Sequence, residues 1–470
     1  MKYIYNLILL GVLLVFSSCD KEEWLDIKPK GLIIPTNVQD YRLLLDQVNR
    51  NGNGFPKISP GFGECYANTD YMSDDFVIAD NTLSSFNQTS INQFTWSNDV
   101  FQENEEDNDW AQLYGQIYAA NIVIEEIMDA ENGTNETKLQ LLAEAKIQRA
   151  FSYFSLVNIY GLHYGPSSAA TNLAVPLRLD SQIEGADLSR ASVQEIYDLM
   201  LDDIGTSIEN LPNKPESNDY KHRPTKASAY AFLARLNLYM GNYEDALEAA
   251  SSSLSIHSAI NNYNDYSFFY NVLYLDQPQD DAQVLWLKGS TGTYNLLIAS
   301  DELYNLYEAN DIRQTLYAPI SFFFGIPEPG NCLGYSFFNN YRPVGFTVPE
   351  ILLIRAECNA RLNFVADAVN DLNTLRINRF KEGTYTPIIS TDKTEVLNLV
   401  KKERRIELAG NGLRFFDLKR YNEFDNANIS LTRNLKGQTY TLNAGSNNWA
   451  VPIAKKYIFA SPDIGENIRD

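Results

Sequence analysis

Pro224-Thr225-Lys226-Ala227-Ser228-Ala229-Tyr230-Ala231-Phe232-Leu233-Ala234-Arg235-Leu236 runs on to Tyr239, breaks at Met240-Gly241-Asn242, and leads into a second run that reaches Leu254. Pro224 suits a first helical position, where a missing N–H removes no hydrogen bond. Ala227, Ala231 and Ala234 fall at i, i+4 and i+7, so one face is small and admits a close neighbour. Gly241 can take the left-handed cap without a Cβ clash. In the second run Ala246, Leu247, Ala250 and Leu254 share one face. A helix hairpin of this kind cannot bury that face alone, so the rest of the chain must supply its neighbours.

The hairpin resembles a tetratricopeptide repeat. Ala234, Gly241, Tyr243 and Ala246 stand where that repeat keeps a small residue, the turn glycine, an aromatic and the second-helix alanine. A second copy follows, with Ala356 and Ala368 at the same spacing and Leu372 and Leu375 continuing its second helix. Asn363 replaces the turn glycine there, and Asn also tolerates the left-handed conformation. Two unrelated amphipathic hairpins are the plainer reading of the same pattern.

A chain of 470 residues suffices for one large domain or two to three ordinary ones. Its 38 basic against 60 acidic residues give a net charge of −22, which argues against nucleic acid and against docking on anionic headgroups by charge. Cys19, Cys65, Cys332 and Cys358 form no C-x-x-C pair, and His163, His222 and His257 lie far apart, so no metal site and no cofactor are expected. Cys358 reads as a buried thiol. Whether Cys65 and Cys332 pair is left open.

Residues 1–18 read as a signal peptide: Lys2, an apolar run from Leu7 to Phe16, then Ser17-Ser18. The apolar run is too short to span a bilayer. Phe16-Ser17-Ser18-Cys19 resembles a bacterial lipobox, which implies lipidation of Cys19. Asp20-Lys21-Glu22-Glu23 behind it resembles a surface-export signal of Bacteroidetes lipoproteins. A short helix is expected over Asn37–Leu45. Residues 51–98 are rich in Gly, Asn, Ser and Asp, with aromatics interspersed. Helices are expected from Trp110, over Glu136–Tyr160 and over Ser192–Leu211. A second irregular, aromatic-rich region spans 258–345, with a helix over Ser300–Tyr307. A basic helix from Thr394 to Leu408 follows the second repeat-like pair, and the tail ends in an extended Trp449–Ile453.

Several ordered motifs resemble the SusD/RagB family of nutrient-binding outer-membrane lipoproteins. They are Trp110 to Asn121, Arg149 to Gly161, Arg223-Pro224-Thr225-Lys226, Ser300 to Arg313, Glu350 to Glu357 with Leu372 to Arg376, and Glu403 to Arg420. One departure is Asn411-Gly412-Leu413-Arg414, where the family typically carries Glu-Gly-His-Arg. Glu403, Arg404, Arg405 and Glu407 read as an ion-pair cluster locking helices. The resemblance implies a mainly α fold: tetratricopeptide-like helix pairs forming a curved scaffold, two long irregular regions and minor β. It implies a lipidated N-terminus and linker over 19–30 and one domain over 31–470, its parts (about 31–255 and 256–470) packed as a unit. It further implies a surface-exposed, lipid-anchored outer-membrane protein that delivers an oligosaccharide, or alternatively a peptide, to a TonB-dependent barrel transporter.

No motif carries a binding residue over, so candidates come from chemistry. Sugar rings present C–H faces to flat aromatics, and Asn, Asp and Gln satisfy hydroxyls. From the first irregular region Tyr71, Phe86 and Trp96 are the candidates, and from the second Tyr266, Phe269, Tyr317, Phe323 and Tyr335. Trp96 and Phe269 read equally well as core. A hydrolase is the competing class. Asp74-Asp75 and Asp280-Asp281 are adjacent carboxylates, but sequence neighbours usually mark solvated turns, and no G-x-S-x-G or H-E-x-x-H occurs. No catalytic residue is therefore assigned. A bare repeat scaffold is the third class, and it has no use for two long aromatic-rich regions.

Overall fold

The computed structural model describes residues 35–46, 48–49, 59–60, 69–80, 82–269, 271–275, 278–290, 298–321, 330–334 and 342–470. The N-terminal helices are Val38–Leu45 (α1), Thr69–Met72 (α2), Gln88–Phe94 (α3), Asn108–Glu126 (α4), Asn135–Tyr160 (α5), Val193–Gly205 (α6), Lys226–Met240 (α7) and Tyr243–Ile256 (α8). Asp301–Tyr304 (α9), Val348–Arg361 (α10), Val365–Arg376 (α11), Lys393–Glu407 (α12), Arg414–Phe424 (α13) and Lys455–Ala460 (α14) follow. Between them run strands of two to five residues, all antiparallel hairpins or small sheets.

The α7–α8 hairpin forms as its sequence dictates, with one change at its start. Thr225, not Pro224, governs entry: its side chain accepts from the Ser228 N–H, while the Ser228 hydroxyl receives the Thr225 N–H. Pro224 therefore lies outside the first turn. Gly241 closes α7 at φ +78°, and a Cβ there would meet the Phe424 ring at 2.8 Å. Ala227, Ala231, Ala234 and Ala246 are all buried, and the Ser253 hydroxyl donates to the Ala227 carbonyl at 2.7 Å. The second pair, α10–α11, turns on Asn363 at φ 70° and packs against α8.

Two expected helices are shorter than their patterns. α6 stops at Gly205, because the Thr206 and Ser207 hydroxyls take the carbonyls of Asp202 and Asp203 in its last turn. The stretch 300–307 is helical only over α9, after which Tyr307 turns inward to meet the Tyr317 hydroxyl at 3.1 Å.

The main core runs from Trp110 and Phe154 through Phe232 and Phe346 to Phe416 and Trp449, so both halves of the chain contribute to it. A smaller core gathers Tyr71, Phe76, Phe94, Leu303, Tyr307 and Tyr317 beneath the irregular regions. Between the helices lies a network of buried ion pairs. Arg235 of α7 and Glu350 of α10 meet bidentately at 2.7 and 2.6 Å. Arg420 of α13 grips Glu357 of α10 in the same way, at 2.6 and 2.7 Å. Burial alone would raise the Glu357 carboxyl, but Arg420 and Arg361 hold it far below the carboxylate range.

Candidate ligand-binding site

α12 decides where the irregular regions sit. Arg405 reaches Asp75 at 2.6 Å and Asp74 at 3.1 Å in the first region, and Glu302 at 2.5 Å in the second. One guanidinium thus ties both regions to one helix. Arg414, four residues into the departing motif, pairs with Asp74 at 2.7 and 2.8 Å. Gly412 donates its N–H to Asp70 at 3.0 Å and accepts from the Thr69 hydroxyl at 2.9 Å. Farther along, Glu407 takes Arg313 and Arg379, both at 2.7 Å. These two cations outweigh burial and hold the Glu407 carboxyl down to about 2. Asp75 goes the other way: burial pushes it up to about 6 despite Arg405.

The two regions then share a sheet. Phe76–Val77 pairs with Ile298–Ala299, with Val77 opposite Ile298 and Phe76 opposite Ala299. Asn331–Leu333 and Tyr317–Pro319 complete four strands. Ser300 locks the join, giving its N–H to the Asp75 carbonyl and its hydroxyl to the Asp74 carbonyl, both at 2.8 Å. Arg433, on the hairpin Leu431–Leu435/Gln438–Leu442, gives its N–H groups to the carbonyls of Tyr71, Ser73 and Phe94 and lies over the Phe94 and Trp96 rings. Burial lowers this guanidinium to about 9.

The rings chosen from sequence divide sharply. Tyr71, Trp96 and Tyr317 are buried and form part of the cores, so they belong to no exposed platform. The indole N–H of Trp96 is spent on the Met72 carbonyl at 3.0 Å, and the Tyr317 hydroxyl faces Tyr307. Phe86 is half-buried, edge-on to Tyr71 at 5.4 Å. Tyr266 is half-buried, edge-on to Tyr263 at 6.0 Å. The backbone of Phe269 lies in the hairpin Ser267–Phe269/Val272–Tyr274. Phe323, Tyr335, Cys19 and Cys65 lie outside the described residues. Cys332 is a buried free thiol.

That hairpin displays rings the sequence reading passed over. Phe268 is 51 % exposed and Tyr274 is 42 % exposed. Its inner residue Leu273 packs with Tyr263 and with Ile312 of the 3-10 turn Ile312–Leu316, which feeds directly into the shared sheet. Tyr266 and Phe268 stand two apart in an extended run, so they share a face, and that alternation was the available signal. Beneath lies a small cleft of about 90 Å³, bordered by Tyr263, Asp281, Gln283 and Asn411.

The order of these elements has counterparts. Residues 23–238 match a family model described as starch-binding, associating with the outer membrane, and residues 348–462 match the SusD family model. The chain belongs to the SusD/RagB family. Among its relatives, SusD-like protein P38 of Formosa agariphila is 24 % identical over 413 residues, covering 73 % of this chain and 78 % of that one. A SusD superfamily protein from Bacteroides thetaiotaomicron shares the fold at a TM-score of 0.71 and 19 % identity, covering 92 % of this chain and all 100 % of that one. A laminarin-binding SusD-like protein aligns at a TM-score of 0.64 and 17 % identity, over 92 % and 99 % of the two chains. At such identities the SusD fold is shared, while the rings that meet a ligand must be argued from this chain itself.

Proposed function

We propose that this SusD-family protein is a non-catalytic surface lipoprotein, anchored through Cys19, that captures an oligosaccharide and passes it to a TonB-dependent outer-membrane barrel. The observation that carries the reading is the four-stranded sheet, in which both aromatic-rich regions meet. In this reading a single ligand spans rings from both regions, although those regions lie far apart in sequence. Among the described rings of the two regions, Phe268 and Tyr274 are exposed, while Phe86 on one side and Tyr266 on the other are half-buried at the edge of the core. Phe269, Phe323 and Tyr335 remain candidates beside them. The family's starch-binding description and the laminarin-binding neighbour support a glycan as cargo. Stacking on a few partly exposed rings yields modest affinity, of order micromolar to millimolar, which suits a protein that must release its cargo.

The test is titration with a glycan panel that begins with laminarin, on the parent and on Phe86→Ala, Tyr266→Ala, Phe268→Ala and Tyr335→Ala. Loss of binding in variants from both regions, with the melting temperature kept, supports one composite site. Parent-like binding in all four rejects that site. Products released from any glycan in the panel would reject the non-catalytic reading. For the anchor, Cys19→Ala should leave the outer-membrane fraction, and a variant that stays there with its processing unchanged from the parent's rejects lipidation.

A further inference from the structure

A cavity of about 310 Å³ opens between the connector after α5 and α13, and none of the candidate rings lines it. Leu162, His163, Ser168 and Asn172 line it from the connector, and Lys419 and Glu423 from α13. Two of these side chains are left incomplete by the protein. Lys419 is 3 % exposed, and its ammonium donates to the carbonyls of Asn158 and Gly161 at 2.7 Å each. An ammonium has three donors, so one remains for the cavity. Among the described residues no carboxylate lies within 4 Å of it, whereas Arg420, the next residue, holds both Glu357 and Asp417. His163 is 7 % exposed, and neither ring nitrogen has a hydrogen-bond partner of good geometry. A buried cation without a counter-ion beside an unpaired imidazole is an unfinished polar site.

We propose that this cavity is a second binding site, one that takes a small hydroxylated carboxylate. The carboxylate meets the free N–H of Lys419, supplying the counter-ion the fold omits. Hydroxyls meet the Asn172 and Ser168 side chains that line the cavity. Burial, with Lys419 and Arg420 nearby, keeps the His163 ring neutral even though the Tyr239 backbone and Asp417 favour its charge. Burial also lowers the Lys419 ammonium to about 7, a penalty that an incoming anion relieves. Glu423, one turn along on the same wall, is the opposing charge. Space for roughly ten waters is ample for one such molecule. The site is independent of the aromatic face, so either can fail without the other.

The experiment is calorimetric titration of the detergent-solubilised full chain with D-gluconate and with its neutral counterpart D-glucitol. Gluconate is expected to bind, with glucitol about tenfold weaker or more, the difference a hydrogen bond to a charged group makes. Lys419→Met removes the preference. Because it also uncaps two carbonyls of α5 and its connector, Ser168→Trp serves as the second variant. It fills the cavity from the rim and leaves both Lys419 bonds alone, and it should lose gluconate at an unchanged melting temperature. Glu423→Gln should tighten gluconate several-fold, while Phe86→Ala and Phe268→Ala leave it unchanged. No binding of gluconate to the parent, equal affinity for the two ligands, or full binding by Ser168→Trp overturns the proposal.

Discussion

The C-terminal helices and the aromatic face hold their surfaces still by opposite means. In α10, α12 and α13 the fixing is electrostatic: Glu357 sits between Arg420 and Arg361, Asp417 between Arg404 and Arg420, and Glu407 between Arg313 and Arg379. Buried charges of this kind are intolerant, since removing one strands its partners in a low-dielectric interior. Across the aromatic face the strands are two or three residues long, and Phe268 has half its surface in water. Little there depends on any one side chain. The contrast teaches how one scaffold can serve different ligands: the rigid network fixes where the face sits, and the face can change its rings at little cost to the fold.

The comparison breaks most visibly if the network is cut. Glu357→Ala leaves Arg420 and Arg361 facing each other without their shared carboxylate, and a loss of about 3–5 kcal/mol is expected in urea unfolding. An unfolding midpoint close to the parent's would show that the network is not what holds the helices.

Acid should erode the same network. The folded-state pKa of Glu407 lies at about 2, below its ordinary value, so its contribution is present above that ordinary value and is lost as pH falls toward 2. Melting temperature followed from pH 6 downward should therefore drop, and Glu407→Gln should start lower and drop less. Parallel curves for parent and variant would contradict this assignment.

Packing of the helix pair gives a smaller effect. Ala234 is fully buried where α7 meets its neighbours, and Ala234→Leu overpacks that contact at a cost of about 1–3 kcal/mol. An unchanged midpoint would mean that the small face is not needed for close approach.

The smallest stability effect is expected on the aromatic face. Phe268→Ala should change stability by no more than about 0.5 kcal/mol while weakening glycan binding several-fold. If the variant instead unfolds early and binds normally, the two regions do not differ in the way described.

What was legible in the sequence was local. The caps, the alanine faces and the two turn residues Gly241 and Asn363 act within one helical turn or hairpin, so their spacing along the chain carries the information. Pro224 misled because proline at a helix start and proline just before the cap look alike in sequence, and only the Thr225–Ser228 capping box separates them. The basic run Lys401 to Arg405 announces ion pairs but cannot announce their partners.

Sequence by itself determined the helix hairpins, the order of motifs and hence the family, because each rests on interactions between near neighbours. Tertiary structure alone decided which rings are core and which face water, since Tyr71 and Phe86 have similar polar neighbours in the chain, yet Tyr71 is fully buried and Phe86 only half-buried. It alone paired Arg414 with Asp74, 340 positions away, and set the Lys419 ammonium on the carbonyls of Asn158 and Gly161. Burial and ion pairing depend on which distant segments the fold brings within a few ångströms, and no local pattern encodes that distance.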